Sequence, residues 1–295
     1  MWLLSNNKPE KLTSIQRLYR KVIHLSGITV AREQGLWSSG VRSWESLLET
    51  DAAKSACKSA KRREKVALQI NQSRESLENH DPIFFAEQLP SSLHWRFFPD
   101  FKHSIAYLDI ETTGLDRGDI ITTIVIYDGK SIHPYVQGQN LDDFKNDIEQ
   151  YKIIATYNGK SFDVPFIERY FKIKIKQPNI DLRYILSSLG YSGGLKNCER
   201  KLGIDRKDLA DIDGYAAVLL WNDYKRSKNQ KALETLLAYN VTDVLNLETL
   251  LVFAYNEKLL NTPFQNSHKL PFPTPPENPF KADENTLRKV CGIRP

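Results

Sequence analysis

Two carboxylates follow an apolar stretch of the chain in the segment IAYLDIETTGL. Asp109 and Glu111 stand two residues apart at the end of this stretch, whose composition is typical of a β-strand. Because side chains alternate along a strand, both carboxylates would point to the same face of a sheet. Two like charges this close need a cation, and carboxylate oxygens suit Mg²⁺ or Mn²⁺. The segment predicts a divalent-metal site, and Gly114 would let the chain turn away beside it.

A further acidic position lies in the segment TYNGKSFDVPFI, after another expected strand. Asp163 follows a small polar turn there and opens a helix, a place where aspartate is often only a cap. Asn158 and Phe162 precede it. An amide, an aromatic ring and a carboxylate in this order favour a functional role over the cap.

The segment LAYNVTDVLNLETL supplies a phenol and a fourth carboxylate on one helix. Tyr239 and Asp243 are four residues apart and therefore lie on the same face. Val244, Leu247 and Leu251 would form the buried side. The phenol can hold or activate a water, and the carboxylate can complete a metal site.

Strands and helices that would position these groups alternate from residue 104 onwards. The pattern predicts strands at 105–110, 120–127, 131–136 and 153–157, a possible short strand at 179–182, and helices at 141–150 and 231–255. A turn at Asp128-Gly129 favours an antiparallel hairpin. The expected fold class is α/β, with an RNase H-like mixed sheet flanked by helices and preceded by a small all-helical module.

Stretches of different character divide the chain. We expect a basic helical module at 1–80, an aromatic and proline-rich linker at 81–103, the catalytic domain at 104–258 and a proline-rich irregular tail at 259–295. Within the module, Gly27 would form a tight turn and Gly40 would end a helix. Residues 1–80 hold 14 Lys and Arg against 8 Asp and Glu, a net charge of +6, which leaves −1 for the remainder. This distribution suits a polyanionic partner beside a separate acidic site.

A long helix at 52–77 carries much of this positive charge. Lysines at three- and four-residue steps share one face of it: Lys54, Lys58, Lys61 and Lys65. Small residues form the opposing stripe: Ala53, Ala56, Cys57, Ala60 and Ala67. Contact with phosphates and a merely solvated outer face are equally good interpretations of the lysines.

Composition argues against several other classes of protein. The cysteines Cys57, Cys198 and Cys291 are odd in number and far apart, so no disulfide framework or cysteine metal site is predicted. Apolar runs fall short of the roughly 20 residues that a membrane span needs. We therefore expect a cytoplasmic protein without a membrane partner. Its oligomeric state is left open.

The three acidic segments together resemble the motifs of the DEDD exonuclease superfamily, in its tyrosine-containing (DEDDy) subgroup. More closely, the chain is similar to the YprB-like RNase H-like family of predicted exonucleases, over residues 25–255 and including the HLSGIT and FFAEQLP segments. No histidine lies just upstream of Asp243, so the histidine-containing subgroup does not fit.

The resemblance implies a role for each residue. Asp109, Glu111 and Asp243 would bind one divalent cation, Asp109 would bridge to a second, and Asp163 would support the second through water. Tyr239 would orient the attacking water. The implied activity is 3′-to-5′ hydrolysis of DNA or RNA by two Mg²⁺ or Mn²⁺ ions, which together activate the water and balance charge on the transition state.

Nucleic acid is the implied partner, bound through its 3′ end. Around the acids, Thr112, Asn158, Lys160 and Phe162 are candidate contacts, and further cations such as Lys196 could line a backbone groove. The HLSGIT segment resembles a helix-hairpin-helix turn in which Thr29 replaces the second glycine. This puts close approach of its backbone to a phosphate in doubt.

Two alternatives remain open from the sequence. One is an RNase H-like endonuclease that acts on hybrid or branched substrates. The other is a catalytically silent nucleic-acid-binding adaptor that kept the fold.

Overall fold

A computed structural model of the chain describes residues 23–49, 59–206, 209 and 212–292. These residues divide into two units. The first contains the described residues up to Lys102 together with Lys258–Lys269, and the second contains His103–Glu257 and the residues from Leu270 onwards. The first unit thus includes 81–102, most of the expected linker, and the residues after 258 are divided between the two units.

The first unit is helical. Its helices are α1 (Val30–Ser38), α2 (Trp44–Glu49), α3 (Ala60–Glu78), α4 (Ile83–Gln88) and α5 (Phe98–Phe101), with a 3₁₀ helix at Ser91–Arg96 and another beginning at Lys102. Trp44 and Phe85 are fully buried, and the ring of His24 packs against both, at centroid distances of 5.4 and 5.6 Å. The expected helical module therefore has a core of aromatic side chains.

The turn before α1 has the conformation that its glycine allows. Gly27 has φ +74°, and the N–H of Ile28 donates to the carbonyl of Leu25 at 3.0 Å. The hydroxyl of Thr29 then caps α1 by accepting from the N–H of Arg32. Past the end of α1, Gly40 has φ +87°. The predicted turn at Gly27 and helix end at Gly40 are confirmed.

The buried face of α3 differs from the predicted alanine stripe. Ala60 is exposed and Ala67 is only half-buried. The buried residues are larger on average and recur at three- and four-residue steps: Val66, Ile70, Ser73 and Leu77. Branched aliphatic side chains remove more apolar area from water than alanine does, so they determine which face packs inwards.

The second unit contains a five-stranded mixed sheet. Its strands are β1 (Ile105–Thr112), β2 (Ile121–Tyr127), β3 (Ile132–Val136), β4 (Ile153–Thr156) and β5 (Asn179–Asp181), in the spatial order β3-β2-β1-β4-β5. β1 and β2, and β2 and β3, pair antiparallel, whereas β4 is parallel to both β1 and β5. The predicted α/β class with a mixed sheet is confirmed.

Helices surround this sheet. They are α6 (Phe144–Asp147), α7 (Asp163–Phe171), α8 (Leu182–Ser187), α9 (Leu195–Lys201), α10 (Gly214–Ser227), α11 (Gln230–Leu259) and α12 (Glu284–Thr286), the last followed by a π-helical turn at Leu287–Cys291. The helix predicted at 141–150 is instead three short segments, because 3₁₀ helices at Leu141–Asp143 and Ile148–Gln150 flank α6. The long carboxyl-terminal helix is confirmed as α11.

The β2–β3 hairpin turns where the sequence predicts. Gly129 has φ +89°. The carboxylate of Asp128 accepts from the N–H groups of Lys130 and Ser131, at 2.8 and 2.7 Å. These bonds satisfy backbone donors that the sheet leaves unpaired.

Along β1, side chains of the hydrophobic core alternate with side chains of the candidate site. Ala106, Leu108 and Ile110 belong to one buried cluster, which also contains aromatic side chains of α6 and α7. Asp109 and Glu111 alternate with them and therefore lie on the opposite face. The hydrogen bonds described below join that face to α11.

The helix α11 is long and apolar enough to cross a membrane by length and composition. In the structure, however, 72% of its most apolar window is buried inside the protein. Such burial is typical of the core helix of a globular domain. This stretch of α11 does not stand out in the sequence as a continuous apolar run, because polar residues interrupt it.

The proline-rich segment returns to the second unit after α11. Residues 271–283 contain no helix or strand. Leu287, beyond them, is almost fully buried in a cluster with side chains of α10 and α11. The expected irregular tail is therefore irregular up to 283 and helical at 284–291.

Candidate active site

The acids of the first and third motifs meet in space. Single carboxylate oxygens of Asp109, Glu111 and Asp243 all lie within 4.8 Å of one another. Asp109 and Glu111 come from the end of β1, and Asp243 comes from the middle of α11. Glu111 is 9% exposed and Asp243 6%. Because side chains alternate along the strand, Asp109 and Glu111 point to the same face of the sheet, as predicted.

A buried asparagine holds one of these carboxylates. The amide nitrogen of Asn240 donates to Asp109 Oδ2 at 2.7 Å. The amide oxygen of Asn240 accepts from the hydroxyl of Thr123 at 3.0 Å, and Thr123 is the cross-strand partner of Glu111. This chain of hydrogen bonds fixes the rotamer of Asp109. Asn240 is not among the predicted site residues, and its one signal in the sequence is that it is a polar residue in the apolar stretch of a helix, three positions before Asp243.

Asp163 stands apart from the three clustered oxygens. It is the first residue of α7, is 3% exposed, and accepts from the backbone N–H of Ile110 at 3.2 Å. Burial raises the pKa of this carboxyl to about 7, although backbone hydrogen bonds oppose the shift. Asp163 therefore links the start of α7 to β1 and lies within electrostatic reach of the other acids.

The clustered acids raise one another's pKa. For Asp109 and Glu111, burial is the largest cause of the elevated pKa, and the negative charges of neighbouring carboxylates are the next. Burial also raises the pKa of Asp243, while an adjacent guanidinium lowers it. Ionised carboxylates in a water-poor site repel one another. A cation would relieve that repulsion, and an all-oxygen donor set suits Mg²⁺ or Mn²⁺.

The adjacent guanidinium belongs to Arg206, which the sequence analysis did not identify. Arg206 donates to Asp243 Oδ1 through Nη2, and to Glu199 Oε2 through Nη1 at 2.6 Å. The other oxygen of Glu199 accepts from the amide of Asn246 at 2.7 Å. Arg206 follows α9 in a segment without helical or strand periodicity, so no sequence pattern places it near Asp243.

Tyr239 lies one helical turn before Asp243 and is 6% exposed. Burial raises the pKa of its phenol, and the charges of Asp243 and Glu111 raise it further. The hydroxyl therefore stays protonated at neutral pH and can donate a hydrogen bond. Lys196 Nζ and Arg206 Cζ lie 5.1 and 5.3 Å from the ring centroid. Cations near the ring face stabilise the buried position of the aromatic side chain.

The loop between β4 and α7 is fixed by Asp181 at the end of β5. The carboxylate of Asp181 accepts from the N–H groups of Asn158 at 2.8 Å and Lys160 at 3.0 Å. It also caps α8 by accepting from the N–H of Arg183. Asp181 therefore has a structural role at the start of α8, and the same carboxylate shapes the loop that leads to Asp163.

The turn after β1 depends on close packing at Gly114. A Cβ there would lie 2.5 Å from Asp119 Oδ2, so a side chain would displace that carboxylate. Asp119 in turn accepts from the hydroxyl of Thr113 at 2.8 Å. Thr112, past a bulge in the β1–β2 pairing, donates from its hydroxyl to the carbonyl of Gly114. A side chain at position 114 would therefore have to displace the Asp119 carboxylate and its hydrogen bonds.

The family of the chain follows from a match to a known family model. Residues 106–255, just over half of the chain, match the model of the RNase H superfamily. The chain belongs to the RNase H superfamily. Membership, with a cluster of buried acids, indicates a nuclease that uses divalent metal and binds nucleic acid.

The other comparisons add one solved structure. This RNase H-superfamily chain is similar to a family B DNA polymerase from the hyperthermophilic archaeon Pyrobaculum calidifontis, with 17% identity and a TM-score of 0.39. The match covers 53% of this chain and 24% of the polymerase, so the chain spans about a quarter of that protein. No curated protein matches the chain in sequence.

The remaining candidate contacts of this RNase H-superfamily chain lie in two places. Asn158 has φ +69° and accepts from Arg183 Nη1 at 2.5 Å, and Phe162 packs on Phe166. Burial lowers the pKa of Lys160 in the same loop. In the first unit, two of the four candidate lysines are exposed on α3, Lys61 and Lys65. Lys54 and Lys58 lie outside the described residues.

The helix-hairpin-helix-like turn uses its polar groups internally. The carbonyl of Gly27 accepts from Arg32 Nη1 at 2.7 Å and from Arg62 Nη2 at 2.9 Å. The hydroxyl of Thr29 is the cap of α1. These bonds hold α1 and the turn before it against α3. The turn therefore has a packing role.

Proposed function

We propose that the protein is a 3′-to-5′ exonuclease of the DEDDy type, related to the YprB-like family. The observation that carries the proposal is the position of Tyr239. Tyr239 lies one turn before Asp243 on α11, the carboxylate of Asp243 clusters with those of β1, and the charges of Glu111 and Asp109 act on the phenol. A tyrosine in this position, rather than a histidine, is the feature by which the proposed subgroup differs from its histidine-containing counterpart.

Each side chain has a role in the proposed reaction. Asp109, Glu111 and Asp243 would hold one divalent cation, and Asp109 and Asp163 would support a second. Bound there, such cations would supply a lower pKa for the attacking water and positive charge beside the phosphate. Tyr239, protonated at neutral pH, orients that water by a hydrogen bond.

Other residues keep this geometry in place. Asn240 holds the carboxylate of Asp109 in one rotamer at 2.7 Å, so a ligand oxygen is already oriented before a cation arrives. Asp181 fixes the loop that carries Asn158 and Lys160. We propose that this loop and Thr112 contact the 3′-terminal nucleotides of a DNA or RNA strand in the cytoplasm.

The test is degradation of matched single-stranded DNA and RNA, each labelled at the 5′ end, beside a circular single-stranded DNA. The reactions contain Mg²⁺, Mn²⁺ or EDTA. We expect a ladder that shortens from the 3′ end in metal and not in EDTA, while the circle stays intact. Asp109→Asn should abolish the ladder, and Tyr239→Phe should slow turnover at least about tenfold with less effect on strand binding.

Other results would replace the proposal. Cleavage of the circle would assign an endonuclease. If neither polymer is cut in either metal while labelled strands still bind, the protein would be an adaptor. An equal loss of turnover and of binding in Tyr239→Phe would make Tyr239 a substrate-binding residue.

A further inference from the structure

Arg206 occupies one oxygen of the candidate metal site. Its Nη2 donates to Asp243 Oδ1, and Asp243 contributes to the group of three clustered carboxylates. The side chain of Arg206 is 5% exposed and that of Asp243 8%, so water screens this ion pair little. A guanidinium and a divalent cation are both positive and both seek carboxylate oxygens. They are therefore competitors for Asp243.

The guanidinium of Arg206 has a second partner, which is not one of the candidate metal ligands. Arg206 Nη1 donates to Glu199 Oε2 at 2.6 Å, and Glu199 is fully buried. Asn246 holds the other oxygen of Glu199 at 2.7 Å, which keeps the carboxylate oriented when Arg206 moves. Arg206 can thus release Asp243 and still keep one charge-assisted hydrogen bond.

The surroundings of Arg206 leave room for such a movement. The residue follows α9 in backbone that is neither helix nor strand. It lines a cavity of about 440 Å³ together with Asp205, Glu277 and Asn278. Its buried Nε has no hydrogen-bond partner among the described atoms. The arrangement on Asp243 therefore leaves one donor unsatisfied, which costs free energy that a different rotamer could recover.

We propose that Arg206 is an internal counterion that binds Asp243 in the metal-free protein and yields it when a divalent cation binds, retaining Glu199. Arg206 is in this sense a positioning residue. It neutralises Asp243 until metal arrives, and the free energy of breaking that contact lowers the metal affinity of the site. The inference rests on the proposed metal site and adds a residue that sets its affinity.

Substitutions can separate this competition from ordinary charge effects. Arg206→Gln removes the competitor but also removes a positive charge. The double variant Glu199→Gln/Arg206→Gln removes the competitor while the net charge stays that of the parent protein, and its two amides can still pair in place of the buried ions. Lys196→Gln is the matched control, because Lys196 acts on Glu111 and Asp243 through its charge.

The measurement is calorimetric titration of the full chain with Mn²⁺ at one fixed pH near neutrality, after removal of metal with a chelator. Electron paramagnetic resonance of free Mn²⁺ gives an independent dissociation constant. We expect Arg206→Gln and the double variant to bind Mn²⁺ about tenfold more tightly than the parent, which corresponds to about 1.4 kcal/mol. Lys196→Gln should tighten binding by less than about threefold, since its charge acts only through space.

Several outcomes would overturn the inference. Weaker binding in the folded double variant would show that Arg206 orients Asp243 for metal instead of competing with it. If Lys196→Gln and Arg206→Gln tighten Mn²⁺ binding equally, the loss of a nearby positive charge explains the effect, and competition for Asp243 does not. If the parent protein binds no Mn²⁺, the proposed metal site fails along with the inference, whereas binding in the parent with no change in the variants overturns the inference only.

Discussion

Folding brings four acidic side chains together in the interior, and their mutual repulsion opposes it. Burial and neighbouring charge raise the pKa of Asp109 and Glu111 well above the usual range, and burial raises that of Asp163 to about 7. A raised pKa means that the folded state binds protons more readily than the unfolded state does. The contribution of these acids to the stability of the metal-free protein therefore falls as pH rises from about 4 towards their folded pKa values.

Asp109→Asn tests this linkage. The variant removes one charge, and its amide oxygen can still accept from Asn240. Without metal, we expect the free energy of unfolding to exceed that of the parent by about 1–3 kcal/mol near pH 8, and the difference to shrink near pH 5. Urea unfolding in EDTA at both pH values measures it.

The control for that experiment is an aspartate without the cluster's repulsion. Asp142 is 86% exposed and pairs with Lys145 at the surface, so Asp142→Asn should change the free energy of unfolding by no more than about 1 kcal/mol at either pH. Loss of stability in Asp109→Asn near pH 8 would contradict the linkage. It would mean that the hydrogen bond from Asn240 to the charged carboxylate outweighs the repulsion.

Short-range periodicity explains which site residues can be predicted from the sequence. Asp109 and Glu111 share a face because strands repeat every two residues, and Tyr239 and Asp243 because helices repeat every 3.6. Arg206 has no such pattern. Its contact with Asp243 joins residues 37 positions apart through an irregular segment, so only the folded structure brings it to the site.

At the scale of elements, an irregular segment follows the first half of α11. Asn278 donates to the carbonyl of Ala238 at 2.8 Å and to the hydroxyl of Thr242 at 3.0 Å. Farther along, the N–H of Asp283 donates to the hydroxyl of Thr235 at 2.9 Å, and its carboxylate pairs with Lys231 at 2.8 Å. The segment therefore runs antiparallel to α11 and fixes the turn that holds Tyr239.

Asn278→Ala should disturb that turn. The change removes two half-buried hydrogen bonds, so we expect a loss of about 1–2 kcal/mol in stability. Because Ala238 and Thr242 flank Tyr239, nuclease turnover should fall by more than the affinity for a labelled strand. Thermal unfolding and single-turnover kinetics measure the two effects.

Asn285→Ala is the matched control, since Asn285 is exposed in the same part of the chain. It should leave both quantities unchanged. If Asn278→Ala lowers stability without any effect on turnover, the segment stabilises α11 but does not position its tyrosine.

The elements themselves differ in how well the sequence predicts them. The strands β1 to β5 are confirmed because each is a short β-rich run bounded by turn residues. The helix expected at 141–150 is broken into three pieces, of which Leu141, Phe144 and Ile148 are the buried residues. Their spacing of three and four residues fits either one helix or a series of short turns, so the sequence does not distinguish them.

At the scale of the molecule, the sequence boundary between the two units falls near the end of α11. Its residues up to Glu257 belong to the second unit, and those from Lys258 belong to the first. The chain then contributes Lys258–Lys269 to the first unit before it returns to the second at Leu270. The second unit is thus built from two separate stretches of sequence, and we expect its fold to depend on both.

Deletion of residues 270–295 tests this dependence. Leu287 is almost fully buried with side chains of α10 and α11, and Phe280 packs against the same cluster. Exposing two such contacts costs about 1.5–3 kcal/mol for each side chain, before the lost hydrogen bonds to α11 are added. Since domains are stable by only about 5–15 kcal/mol, we expect the deletion to abolish cooperative unfolding of the second unit and all nuclease activity.

Deletion of 293–295, which removes no described residue, should preserve both. Differential scanning calorimetry and the strand-degradation assay distinguish the two variants. Activity that survives the larger deletion would show that the first stretch, His103–Glu257, forms the complete catalytic core and that the returning segment adds stability without positioning the site.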